Sequence, residues 1–156
     1  EFHFEDAELM SLVQQAIDST AAYASKHDVR IDLDEVVPGA TVRVDPDRMI
    51  QVLTNVLSNA VRFSAEGEVV SVTMSRADDT LRVAVSDTGP GIAEDFQDHV
   101  FEAFARGEHD AWRHRSGTGL GMNISKGIIE ELGGTITFET EIGVGTTFFI
   151  DIPESH

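Results

Sequence analysis

The sequence has no cysteine, which excludes disulfides and thiolate-held metals and is compatible with a reducing compartment. It has no apolar run near the ~20 residues of a membrane-spanning helix and nothing like a signal peptide. Basic residues are scarce: 11 Lys+Arg stand against 28 Asp+Glu, a net charge of -17. Nucleic acid is therefore not an expected partner, because a phosphate backbone needs a basic face. The same scarcity constrains how any smaller polyanion would be held. Backbone N–H groups, a helix N-terminus, a metal ion and a few placed arginines must do it locally. What remains is a chain of 156 residues with 41% hydrophobic content, enough for one domain with a sizeable core.

Patterning divides the chain into strands and helices. Residues 3–5 suit a short strand, and Asp6 suits the cap of a helix over about 7–26 with Leu9, Leu12, Val13, Ala16 and Ile17 on one face. Residues 29–33 alternate, and Thr41 to Val44 form another short strand. Asp45-Pro46-Asp47 combines a capping acceptor, a proline at the first helical position and an acid near the positive dipole end. It predicts a helix reaching about Phe63. Val69 to Met74 and Leu81 to Val85 predict a hairpin across Ala77-Asp78-Asp79. A third helix follows from about Thr118 to Leu132, ended by Gly133-Gly134. Thr135 to Thr140 and Thr146 to Ile152 are a last hairpin. The predicted fold class is α+β, with mostly antiparallel strands in one layer and about three helices in the other.

On a helical projection of residues 48–63, Arg48, Gln51, Asn55, Ser58, Asn59 and Arg62 share one side. Ile50, Leu53, Val56, Leu57, Ala60 and Val61 share the other, which packs on the sheet. A solvated face is the plain account of the polar side. Asparagine resists that account, because its amide competes with the helix for backbone hydrogen bonds. Two of them at i and i+4 offer neutral, hard oxygen ligands suited to magnesium. Arg62 beside them can neutralise phosphate, and Phe63 can stack on a base.

Two glycine-rich loops add to this. Ser86-Asp87-Thr88-Gly89-Pro90-Gly91-Ile92 follows a strand. As plain structure it is a tight turn. As a site, the Asp87 carboxylate would accept from the exocyclic amine of adenine, while Gly89 and Gly91 let the backbone approach a base. Ser116-Gly117-Thr118-Gly119-Leu120-Gly121 runs into a helix N-terminus, where bare N–H groups favour phosphate. Its spacing fits neither the Rossmann fingerprint nor a P-loop.

In this order, the motifs resemble the ATP-binding catalytic domain of sensor histidine kinases, part of the Bergerat-fold group with gyrase, MutL and the Hsp-type chaperones. Asn55-Val-Leu-Ser-Asn59-Ala-Val-Arg62-Phe63 is similar to the N box and Asp87-Thr-Gly89-Pro-Gly91 to the first glycine box. Phe101-Glu-Ala-Phe104 is similar to the F box, Gly117-Thr-Gly119-Leu-Gly121 to the second glycine box, and Gly145-Thr146-Thr147-Phe148 to the final Gly-Thr segment. The resemblance implies a two-layer Bergerat sandwich over residues 1–156, cut from a longer sensor protein. It implies ATP and Mg2+ as ligands, with Asn59 and Asn55 as the metal's side chains. Nucleotide would be held by those two with Arg62, Phe63, Asp87, Gly89, Gly91, Ile92, Phe104, Gly117, Thr118, Gly119, Leu120, Gly121 and Thr146. Residues 93–116 would form a mobile lid anchored by Phe101 and Phe104, with Arg106, Arg113 or Arg115 reaching the γ-phosphate. His109 and His114 have no such role.

One departure sharpens the implication. The group's hydrolases carry a glutamate four residues before the metal-binding asparagine, as base for water. Here that position is Asn55, whose amide cannot accept the proton. Transfer to another nucleophile is favoured over hydrolysis. The acceptor would be a histidine on a separate dimerisation domain, since none of His3, His27, His99, His109, His114 and His156 sits in a phosphoacceptor motif. A response-regulator receiver domain is the implied further partner. The domain itself would be cytoplasmic and make no membrane contact, whether or not its parent is anchored. The alternatives are an ATPase of the same fold and a nucleotide-binding regulatory module without kinase activity.

Overall fold

The computed structural model describes residues 1–102 and 120–156, with the side chains of Leu120 and Gly121 also outside the description. The chain opens with a strand, β1 (Glu5–Glu8), paired antiparallel with β3 (Thr41–Val44). Helix α1 (Leu9–Lys26) and strand β2 (Arg30–Glu35) lie between them. Helix α2 spans Pro46–Phe63. Strands β4 (Val69–Ala77) and β5 (Thr80–Asp87) form a hairpin, and a short 3-10 turn covers Glu94–His99. Helix α3 (Leu120–Glu131) precedes the hairpin of β6 (Thr135–Glu141) and β7 (Gly145–Pro153).

The main sheet has the order β2-β4-β5-β7-β6, with β2 parallel to β4 and every other pair antiparallel. One face carries Val70, Val72 and Met74 from β4, Leu81, Val83 and Val85 from β5, and Phe148, Ile150 and Ile152 from β7, all buried. The three helices cover it with Leu9, Leu12, Val13 and Ala16 of α1, Val52, Leu53, Val56 and Leu57 of α2, and Ile128 and Ile129 of α3. The α+β two-layer expectation holds.

Helix α2 begins as its sequence dictates: the Asp45 carboxylate accepts from the Arg48 N–H at 3.2 Å, with Pro46 next in line. Helix α3 ends in a Schellman arrangement, Gly134 N–H to the Ile129 carbonyl and Gly133 N–H to that of Glu130, with Gly133 at φ 88. Three expectations are corrected. Asp6 does not cap α1; it lies in β1, and Glu8 at the helix entry spends its carboxylate on the Ser11 hydroxyl and the Gly39 N–H. The strand expected at 3–5 begins at Glu5, because pairing with β3 sets its span. Ile50 is only half-buried, since the packed stripe runs through Met49, Val52, Leu53 and Val56 instead.

Candidate functional site

Strand alternation brings the first site residue into place. Leu81, Val83 and Val85 point to the core, so Asp87, two further on, does too. Thr146 has the same parity on β7 and is the register partner of Asp87. Both are buried, Asp87 at 7% exposure and Thr146 at 6%. Asp87 accepts from the Gly89 N–H at 2.8 Å and from the Thr146 backbone N–H. These bonds favour its charged form, yet burial outweighs them and pushes its pKa up to about 6.

Close backbone approach closes this end of the site. A side chain on Gly89 would strike the carbonyl of Phe63, the last residue of α2, and one on Gly145 would strike the Asp87 carbonyl. Gly91, at φ 84, would meet the Glu141 carbonyl at 2.7 Å. The loop is also tied to the β6–β7 turn by Gly143 N–H to the Pro90 carbonyl, at 2.9 Å. The Ile92 N–H is bound by the Thr140 hydroxyl at 2.8 Å, itself 2.8 Å from that of Thr146. Ile92 is buried. Phe63, expected to stack on a base, is buried as well.

The other end is a groove of about 610 Å³ whose lining includes Asn55, Ser58 and Arg62 of α2, Ser19 of α1, and Ile124 and Ser125 of α3. Asn55 donates its amide N–H to Ser125 Oγ at 3.0 Å, a contact between residues 70 apart. Ser125 is 2% exposed, and nothing in its sequence neighbourhood marks it out. With the amide nitrogen so engaged, the Asn55 carbonyl oxygen is left for the groove. Asn59, one turn on, was placed on a polar face but is only 5% exposed. Among the described residues no side-chain hydrogen bond engages it. Within that set its buried amide has room for a further partner, which a hard cation or an ordered phosphate would supply. Arg62 donates Nε–H to the Tyr23 hydroxyl at 3.0 Å.

Phe101 packs against Phe138 and Phe148, with ring centres 5.9 and 6.2 Å away, and under Lys126 Nζ. Phe101 lies within the segment 93–116 expected to be the lid. Phe104, Arg106, Arg113, Arg115, Gly117, Thr118 and Gly119 lie outside the described residues. Leu120 and Gly121 open α3.

Residues 44–156 match the model of the histidine kinase-, DNA gyrase B- and HSP90-like ATPases. The chain belongs to that family. The sensor protein SrrB of Staphylococcus aureus is 42% identical over 110 residues, 70% of this chain and 19% of the length of SrrB. The catalytic domain of the histidine kinase ThkA aligns with a TM-score of 0.84 at 27% identity, over 98% of this chain and 97% of that one. The mycobacterial sensor histidine kinase MprB aligns at 0.83 and 25% identity, over 97% and 98%. Full-length ShkA, in complex with AMPPNP, aligns at 0.84 and 29% identity over 99% of this chain and 32% of its own. Within the family, this chain is an ATP-binding catalytic domain of the sensor histidine kinase kind. Among its described residues no helix is long and apolar enough to cross a membrane.

Proposed function

We propose that this catalytic domain binds Mg-ATP across the two ends of the site and gives the γ-phosphoryl group to a histidine on a separate dimerisation domain. The observation that carries the choice of transfer over hydrolysis is the Asn55–Ser125 bond. The position where a hydrolase of this fold has its general base holds an amide, bound to a neighbouring helix. The carboxylate that shares the groove, Asp47, lies eight residues earlier on α2, about 12 Å along its axis.

Asp87 accepts from the adenine amine in this reading, and Gly89, Gly91, Ile92, Phe63 and Thr146 shape the base pocket. Asn59 holds magnesium with Asn55 beside it, and the donor chemistry fits: two neutral amide oxygens, one of them buried and lacking a partner among the described residues. The ion, when bound, would neutralise phosphate charge. Arg62 faces phosphate, as do Gly117, Thr118, Gly119, Leu120 and Gly121. Phe104 closes the lid, and Arg106, Arg113 or Arg115 contacts the γ-phosphate. In the reaction an imidazole nitrogen of the acceptor attacks the γ-phosphorus, the bond to the β,γ-bridging oxygen breaks, and ADP leaves with the electron pair. The protein contributes position and charge neutralisation. A response regulator would then take the phosphoryl group; ThkA has been seen in complex with the response regulator TrrA. Residues 1–156 form one such domain, working in the cytoplasm as part of a longer sensor.

The test mixes the chain with a separately made dimerisation domain and ATP labelled at the γ-phosphate. Acid-labile label on the acceptor histidine is expected, with no rapid hydrolysis by the chain alone. Rapid hydrolysis by the chain alone, abolished by Asn59→Ala, would replace this reading with the ATPase one.

A further inference from the structure

Tyr23 is remote from the motifs of the site, 39 residues before Arg62. It is half-buried on α1, four residues after Ser19, which lines the phosphate-side groove. Residues at i and i+4 share a helix face, so α1 turns this face toward the groove. The Tyr23 hydroxyl accepts from Arg62 Nε at 3.0 Å, and the Arg62 guanidinium carbon lies 5.9 Å from the centre of the Tyr23 ring. The ring also packs against His27, with centres 4.4 Å apart at 60°. The phenol thus has ring neighbours in both His27 and Arg62, and Arg62 meets both its hydroxyl and its ring.

The attachment point matters. A guanidinium held through Nε keeps both Nη groups, with four N–H donors, two of them side by side on the outward edge of the fork. Among the described residues no hydrogen bond engages the Nη groups of Arg62. A lysine would have to share one ammonium between the phenol and the phosphate, whereas the planar fork of arginine gives them separate nitrogens. An arginine is a long, rotamer-rich side chain, and fixing it before a ligand arrives removes an entropic cost from binding.

We propose that Tyr23 is a positioning residue for nucleotide phosphate: it holds Arg62 by Nε so that the free edge of the guanidinium stands ready in the groove. This rests on the assignment of the α2 polar face to phosphate. It predicts an effect confined to phosphate-bearing ligands and transmitted only through Arg62.

The test measures binding of Mg-ATP and of adenosine to the parent, Tyr23→Phe, Arg62→Ala and the double variant by calorimetry. Tyr23→Phe keeps the ring and removes the hydroxyl. It should weaken Mg-ATP roughly 3- to 10-fold and leave adenosine and the melting temperature unchanged. Arg62→Ala should weaken Mg-ATP at least as much, and adding Tyr23→Phe to it should cost nothing more. Tyr23 is also the single tyrosine of the chain, so 3-fluorotyrosine labelling gives one fluorine resonance. Mg-ATP should move that resonance in the parent and not in Arg62→Ala, and adenosine should move it in neither. An equal loss of adenosine and Mg-ATP binding in Tyr23→Phe, or an undiminished loss in the Arg62→Ala background, overturns the proposal. If Arg62→Ala binds Mg-ATP as the parent does, the proposal falls with the phosphate role of Arg62. If the parent binds adenosine but not Mg-ATP, the phosphate-side assignment itself has failed.

Discussion

The two ends of the site are built by different means. The end around Asp87 is made of backbone. Gly89 lies against the Phe63 carbonyl, Gly145 against that of Asp87, and a buried carboxylate sits among N–H donors. The end around Asn55 is made of side chains from three helices, reaching one another across long sequence separations: Asn55 to Ser125, Arg62 to Tyr23. A backbone-built end has little freedom to adjust, so its single changes should be severe and specific to the base. A side-chain-built end shares its work, so its single changes should be smaller and specific to phosphate and metal.

The largest expected effect is at Asp87. Asp87→Asn places an amide where, in the proposed site, a carboxylate faces the adenine amine, and mispaired donors should cost adenosine and ATP at least ~10-fold in affinity. The same change should make the protein more stable. The folded-state pKa of Asp87 is about 6 against an ordinary 3.8, so the folded protein holds this proton more tightly than the unfolded chain does. Stability from this group is then full below about pH 4 and is lost as pH rises toward 6. The cost at neutral pH is about 3 kcal/mol at most. Asp87→Asn escapes it, and should gain about 1–2 kcal/mol at pH 7 and nothing near pH 3, measured by denaturant unfolding. Adenosine carries no phosphate to confuse the titration, and its binding to the parent should weaken as pH falls below about 6, because the carboxylate takes a proton. Equal stability gains at both pH values would show that the burial cost of Asp87 has been misjudged.

Much of the framework of both ends was legible in the sequence, and it is instructive why. Asp45-Pro46 sets the start of α2 by local chemistry, and the parity of Leu81, Val83 and Val85 extends to Asp87 without knowledge of anything distant. The glycines mark close approach by their spacing. The errors were equally local. Asp6 looks like a cap until β3 claims it, and Ile50 looks like core because apolarity alone does not say that Met49 lies nearer the centre of the packed stripe. Ser125 and Tyr23 were invisible, because a serine among Ile124 and Lys126 or a tyrosine on an amphipathic helix acquires meaning only from a partner 70 or 39 residues away. The parallel pairing of β2 with β4 was likewise hidden, since alternation is the same in either sense.

The intermediate effect is at Asn59. Its buried amide is the assigned magnesium ligand, so Asn59→Ala should abolish most of the magnesium dependence of ATP binding, roughly a 10-fold change, and leave adenosine nearly as in the parent. Calorimetry with and without the ion reads this directly. If Asn59→Ala weakens adenosine as much as Mg-ATP, the two ends are not separate and the comparison breaks.

The smallest expected effect is at Ser125, and it sharpens the comparison most. Ser125→Ala removes the acceptor of the Asn55 amide N–H, a part-buried bond at the wall of the groove. The loss should cost about 1 kcal/mol of stability, as for a typical buried hydrogen bond. The functional consequence follows from orientation. An amide that no longer has its nitrogen engaged can turn, and half of its orientations then present N–H instead of oxygen to the metal side. That costs only the preference for one orientation, so Mg-ATP should weaken roughly 2- to 5-fold, with adenosine unchanged. In an Asn55→Ala background the same serine change should have no effect on Mg-ATP, because contacts that act through one group are not additive. A full additive loss in the double variant would mean that Ser125 touches nucleotide by itself instead of only steadying Asn55.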